Sequence, residues 1–101
     1  ITAIFATNDD SAAGAMVACA EAGLSVPGDI SVCGFDDSWI AHRVWPYLTT
    51  IHQPIEEMAY CATKMLIEND GMSTDLVLLP YYLVNRNSVT IPSRTRIRIR
   101  I

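Results

Sequence analysis

The apolar positions of this chain switch between two periods, one of strand type and one of helix type. Residues 2–7 form a short apolar run of strand length, and Asn8-Asp9-Asp10-Ser11, a cluster of helix-start residues, follows. Ala12, Ala13, Met16, Val17, Ala20 and Leu24 then recur at helical spacing, with Gly23 placed to end the helix. Val26-Pro27-Gly28-Asp29 reads as a turn, and residues 30–35 as a second strand. Asp36-Asp37-Ser38 offers another helix start, after which Trp39, Ile40, Val44 and Trp45 make one short apolar face ahead of Pro46. Residues 48–52 are rich in β-branched side chains and predict a third strand. Gln53-Pro54 opens the clearest helix, with proline at the first position and Glu56 and Glu57 in the first turn. Ile55, Met58, Ala59, Ala62, Met65 and Leu66 share its apolar stripe, and Asn69-Asp70-Gly71 ends it. Residues 76–79 predict a strand broken by Pro80, and residues 81–84 continue as extended chain.

Strand, helix and strand within about 35 residues make one βαβ unit, with parallel strands and a right-handed crossover. The repeated alternation predicts an α/β fold, a mostly parallel sheet flanked by helices. Three or four strands are fewer than a full doubly wound domain needs. The chain opens on Ile1 directly into strand-like sequence, as a segment of a longer protein would.

Charge changes the picture in one respect. Residues 1–93 hold all eleven acids and only Arg43, Lys64 and Arg86 as bases, a net charge of −8. Such a body is a poor match to a phosphate backbone, so these residues are not expected to touch nucleic acid. The alternating tail Arg94, Arg96, Arg98 and Arg100 stands apart: its charge suits nucleic acid or an anionic surface, but it reads rather as an artefact of the gene end or expression. Cys19, Cys33 and Cys61 are isolated, with no CxxC or Cys/His spacing, and read as small buried hydrophobes in a reducing cytoplasm. No apolar run approaches 18 residues, so neither a transmembrane helix nor a membrane partner is expected.

Candidate chemistry follows from position. Asn8, Asp36 and Gln53 each lie just past a predicted strand, and parallel α/β sheets bind ligands outside the carboxyl ends of their strands. Two amides and a carboxylate suit a neutral polyhydroxylated ligand such as a sugar or nucleoside. The alternative for Asn8 and Asp36 is helix capping. Trp39 and Trp45 suit either a core or a subunit interface, and one of them is assigned to an interface. His42 and His52 have no partners at metal-ligand spacing and read as ordinary polar positions; Arg86 reads as structural. No catalytic residue, metal site or cofactor is expected.

Thr7-Asn8-Asp9 with the Ala-Gly-Ala-Met helix, then residues 21–32 (Glu-Ala-Gly-Leu-Ser-Val-Pro-Gly-Asp-Ile-Ser-Val), Gly34-Phe35-Asp36-Asp37, Leu48-Thr49-Thr50-Ile51-His52-Gln53-Pro54 and Leu83-Val84-Asn85-Arg86-Asn87-Ser88 together resemble the C-terminal half of LacI/GalR transcriptional regulators. The resemblance covers about residues 3–92. It implies a type I periplasmic-binding-protein-like fold: two α/β subdomains around an effector cleft. Residues 1–52 and 81–92 would belong to the C-terminal subdomain, residues 54–79 would add elements to the N-terminal one, and residues 93–101 would be an atypical tail. Effector contacts would fall on Asn8, Asp36 and Gln53. The dimer surface would fall on the first helix near Ala13 and on Trp39, Arg43, Val44 and Trp45. The implied partners are a carbohydrate-like effector, a second copy in the intact protein, and operator DNA through a headpiece that this stretch does not contain.

Two competing readings share parts of the pattern. A periplasmic sugar-binding receptor of a transport system shares the fold, but three unpaired cysteines sit badly with an oxidising compartment. An enzyme with Asp9, Asp10, Asp36 and Asp37 around Mg²⁺ lacks any accompanying acid/base, phosphate-loop or nucleophile pattern, and acids at helix starts already answer to the helix dipole.

Overall fold

The computed structural model describes residues 1–68 and 76–92. Strand β1 (Ala3–Phe5) leads into helix α1 (Asp9–Glu21), and β2 (Ser31–Cys33) returns parallel to β1 with Ala3 opposite Ser31 and Phe5 opposite Cys33. This is the predicted βαβ unit. A single 3₁₀ turn (Trp39–His42) precedes β3 (Thr50–His52), and helix α2 (Ile55–Glu68) follows it. The last strand, β4 (Tyr82–Val84), runs antiparallel to β3. Parallel bridges from Cys33 to Thr49 and from Asp36 to His52 join β2 to β3. The strands therefore lie side by side in the order β1, β2, β3, β4.

Helix α1 has well-defined ends. The Asn8 side chain accepts from the Ser11 N–H at 2.8 Å, which satisfies one of the helix's free donors. At the other end Gly23 takes φ +73°, a conformation that favours glycine. Its N–H bonds to the Ala20 carbonyl, and the Leu24 N–H reaches back to Cys19, which closes the helix in a Schellman arrangement.

The core forms where α1 covers the sheet. Ala6, Ala12, Met16, Cys19, Ile30, Val32, Ala41 and Leu48 are buried together. The buried side of α1 is Asp9, Ala12, Ala13, Met16 and Cys19, while Val17 and Ala20, expected on that face, look outward. The stripe is rotated toward Asp9, a buried acid that the apolar pattern leaves out, and Cys19, whose burial agrees with its reading as a small hydrophobe.

Two further expectations change. Residues 76–80 pair with no strand among the described residues. Extended chain becomes a strand only with a partner, and nothing described here supplies one. Helix α2 buries none of its side chains fully, and Ile55, Met58, Leu66 and Ile67 are exposed. The predicted helix stop at residues 69–71 and the arginine tail at 93–101 lie outside the described residues. No helix among the described residues is long and apolar enough to cross a membrane.

Candidate functional site

The carboxyl ends of β2 and β3 open into a cleft of about 430 Å³, lined by Asp36, Asp37, Ser38, His52, Gln53 and the start of α2. Backbone bonding sets its floor. The Gly34 N–H donates to the Thr49 carbonyl and the Asp36 N–H to the Ile51 carbonyl, both at 2.9 Å. The Asp9 N–H donates to the Phe35 carbonyl at 3.0 Å, which brings the start of α1 against the same loop.

Asp36 and Gln53 meet directly: Gln53 Nε2 donates to Asp36 Oδ1 at 2.6 Å. One carboxylate oxygen is thus engaged and held in place. Asp36 has φ 107° and Asp37 φ 55°, so two consecutive non-glycine residues occupy a costly backbone region. Asn8 lies next to this loop through the neighbouring Asp9 backbone, and its Oδ1 is used in capping α1. Of the three predicted ligand residues, Asp36 and Gln53 touch and line the cleft, whereas Asn8 is not among its lining residues and its side chain caps α1.

Asp37 turns to a different set of partners. Arg86 Nη2 donates to its Oδ1 at 2.6 Å, and His52 Nδ1 lies 3.0 Å from its Oδ2. Arg86 Nη1 donates to the Leu48 carbonyl at 2.8 Å, and Arg86 Nη2 also lies 3.2 Å from His42 Nε2. His52 stacks on Tyr82, its cross-strand partner on β4, with ring centroids 4.6 Å apart. Burial acts to raise the Asp37 carboxyl. The hydrogen bonds from Arg86 and His52, with the charges of Arg86 and His42, outweigh it and hold the group below its ordinary value. Reading His42 and His52 separately missed this cluster. No local signal marks the cluster, because Arg86 lies 49 residues and His52 15 residues from Asp37 in the chain.

Asp9 was also missed. It is fully buried, accepting from Thr50 Oγ1 at 2.5 Å and from the Ser38 N–H at 2.7 Å. Gly34 packs so closely on it that a Cβ there would overlap Asp9 Oδ1 and the Leu48 side chain. The four acids Asp9, Asp10, Asp36 and Asp37 go separate ways: Asp9 to Thr50 and Ser38, Asp36 to Gln53, Asp37 to Arg86, and Asp10 out to solvent.

A larger hollow of about 480 Å³ lies between α2 and residues 77–81. Its walls are mainly apolar, among them Phe35, Met58, Met65 and Leu79, so it offers few groups to orient a polar ligand. The smaller cleft presents more polar side chains, among them Asp36, Asp37, Ser38, His52 and Gln53. Trp39 and Trp45 are 71% and 74% exposed, so neither is a core residue of this chain. Arg43 is exposed, Val44 packs on the core, and Ala13 retains 9% of its surface.

The family model described as a periplasmic binding protein-like domain matches residues 2–89. The HTH-type transcriptional regulator GalS of Salmonella typhimurium is 40% identical over 92 residues, covering 88% of this chain and 27% of that protein. The regulator GalR of Escherichia coli is 40% identical over 95 residues, covering 91% of this chain and 28% of that protein. Among solved structures, the Lac repressor dimer bound to operator and the anti-inducer ONPF superposes with a TM-score of 0.79 at 38% identity, covering 89% of this chain and 32% of that one. A regulator CelR–cellobiose complex gives 0.78 at 32% identity, covering 87% and 28%. The chain spans a little over a quarter of the length of these two curated regulators.

Proposed function

Because this chain belongs to the LacI/GalR family, within its periplasmic-binding-protein-like domain, we propose that it is the effector-binding and dimerising segment of a regulator that senses a neutral carbohydrate or nucleoside-like molecule. The observation that carries this reading is the Asp36–Gln53 pair at the mouth of the cleft between β2 and β3. Asp36 Oδ2 and Gln53 Oε1 accept from ligand hydroxyls, and Asn8 Nδ2 donates, since its Oδ1 is engaged in capping. Charge-assisted bonds to the carboxylate are the strongest of these. The CelR complex with cellobiose supports a sugar-like ligand.

In this reading residues 1–52 and 81–92 form one wall of the cleft, and residues 54–79 cross into the opposing subdomain. The unburied stripe of α2 and the apolar hollow beside it fit that crossing, because both need further layers of protein against them. Exposed Trp39, Arg43 and Trp45 form the surface for a second copy; Val44 packs on the core beside them, and Ala13, on the buried side of α1, presents only its small exposed remainder. Effector bound across the cleft favours one arrangement of the subdomains, and the dimer relays that preference to DNA-binding segments elsewhere in the protein. The regulator acts in the cytoplasm, where its operator lies, and has no catalytic step. The transport-receptor reading is not favoured: the matched relatives named above are regulators, and Cys19, Cys33 and Cys61 are free thiols.

The test is a thermal-shift screen of the full-length protein against neutral monosaccharides, disaccharides and nucleosides, followed by calorimetry. Asp36→Asn should weaken the binding of the selected compound by about 1.5–3 kcal/mol, the scale of hydrogen bonds to charged groups. Operator affinity without effector should barely change. Unaltered affinity in a folded Asp36→Asn protein would refute the site.

A further inference from the structure

The geometry points to Arg86 as a positioning residue: it holds Asp37 so that the strained two-residue turn aims the neighbouring Asp36 carboxylate into the cleft. The inference rests on the reading of Asp36 as the ligand-binding acid, and adds what keeps that acid in place.

Two adjacent acids share a turn in which both have positive φ, at 107° and 55°. Neither is glycine, so this backbone persists only if surrounding contacts over-determine it. Asp36 is held by its N–H bond to Ile51 and by Gln53. Gln53 lies on the cleft side, where ligand would compete for it. Backbone bonds to Ile51 and, from Ser38, to Asp9 also fix the turn without ligand, but the side-chain hold independent of ligand is the one on Asp37.

Arg86 is built for that hold. Its fork makes two bonds in different directions, one to Asp37 Oδ1 at 2.6 Å and one to the Leu48 carbonyl at 2.8 Å. Its backbone N–H is fixed as well, by Thr49 Oγ1 at 2.9 Å. Two residues on, Ser88 is fully buried; it donates to the Val32 carbonyl at 2.6 Å and accepts from the Thr49 N–H at 2.8 Å. The Arg86 backbone is thus anchored to β2 and β3 before its side chain reaches the turn. Both side chains are mostly buried, at 13% and 14% exposure, so water screens the pair little. A lysine has the charge but not the fork, and can reach only one of the two acceptors at a time.

The role separates Asp37 from Asp36 although both line the same cleft. Asp37 is committed to the protein, and only Asp36 is left to meet a ligand. The ion pair costs conformational freedom in the turn and in return leaves the site pre-shaped before ligand arrives.

Residue-resolved amide hydrogen exchange on the full-length protein, without ligand, tests this. The probe is the Asp36 N–H, whose bond to Ile51 exists only while the turn is in place. Arg86→Lys and Asp37→Asn should each speed its exchange at least tenfold. The Ala6 N–H, bonded to Cys33 between β1 and β2, should stay within twofold of wild type. A parallel rise at Ala6 would reduce Arg86 to a general stability element, and an unchanged Asp36 amide would remove the positioning role; either result overturns the inference. Asp36→Asn alters only the side chain and should leave its own amide protected. The exchange result therefore stands or falls separately from whether Asp36 binds the effector.

Discussion

Thr50→Val isolates the interaction that ties the three strand ends together. Valine replaces the hydroxyl by a methyl of nearly the same size, so no cavity opens. What is lost is the donor to Asp9 Oδ1 at 2.5 Å, in a place where both residues are fully buried. Among the described residues, the Asp9 carboxylate then retains only the Ser38 N–H as a partner. A hydrogen bond to a charged group is worth about 1.5–3 kcal/mol, and leaving the acceptor unsatisfied in the interior falls at the upper end or beyond. The added methyl returns about 0.8 kcal/mol of burial. The net expectation is a loss of about 2 kcal/mol. Thr50→Ser is the control: it keeps the hydroxyl and deletes a methyl, at about 1 kcal/mol. Urea denaturation of the full-length protein should therefore rank wild type, then Ser, then Val, although valine is the closer match in shape. A domain of this kind unfolds with neighbours attached, so the order of the midpoints is the decisive observable. The reverse order, Val above Ser, would mean that packing and not the buried carboxylate governs this site, and the argument from Asp9 would fail.

Gly34→Ala should destabilise by about 1–3 kcal/mol or more through overpacking, since the new methyl meets Asp9 and Leu48; thermal melts of the intact protein read it directly. The Asp37 carboxyl is depressed in the folded protein, so its contribution is present above the ordinary aspartate value and is lost as pH falls through the lower, folded one. The stability gap between wild type and Asp37→Asn should accordingly be full near neutrality and close on acidification below about pH 4, as a urea-midpoint series against pH would show. A gap independent of pH would place the effect of Asp37 outside its charge. Trp39→Ser combined with Trp45→Ser should shift the full-length protein toward monomer in sedimentation equilibrium while leaving its far-UV spectrum intact, because both indoles lie outside the core. An unchanged dimer constant would remove them from the interface.

Much of the architecture was legible in the residue pattern because it depends on local rules. Helix starts at Asn8 and Pro54, the stop at Gly23 and the apolar runs of β1, β2 and β3 each follow from the chemistry of a few neighbouring residues. The rule that ligands sit past the strand ends singled out Asn8, Asp36 and Gln53, and folding brings Asp36 and Gln53 into contact. Tertiary structure decided whatever depends on a distant partner. Residues 76–79 have strand composition but pair with nothing described, because a strand is defined by a neighbour and not by its own sequence. Asp9 resembles any acid at a helix start until Thr50, 41 residues later, and the bare face of Gly34 close around it. Asp36 and Asp37 are the same residue type at adjacent positions. One faces the cleft and the other is held by an arginine 49 residues away, because the chain returns through Ser88 to lie against β2 and β3. A side chain's chemistry is set by its type, but its task is set by the groups that folding brings within hydrogen-bond reach, and those contacts have no local signature.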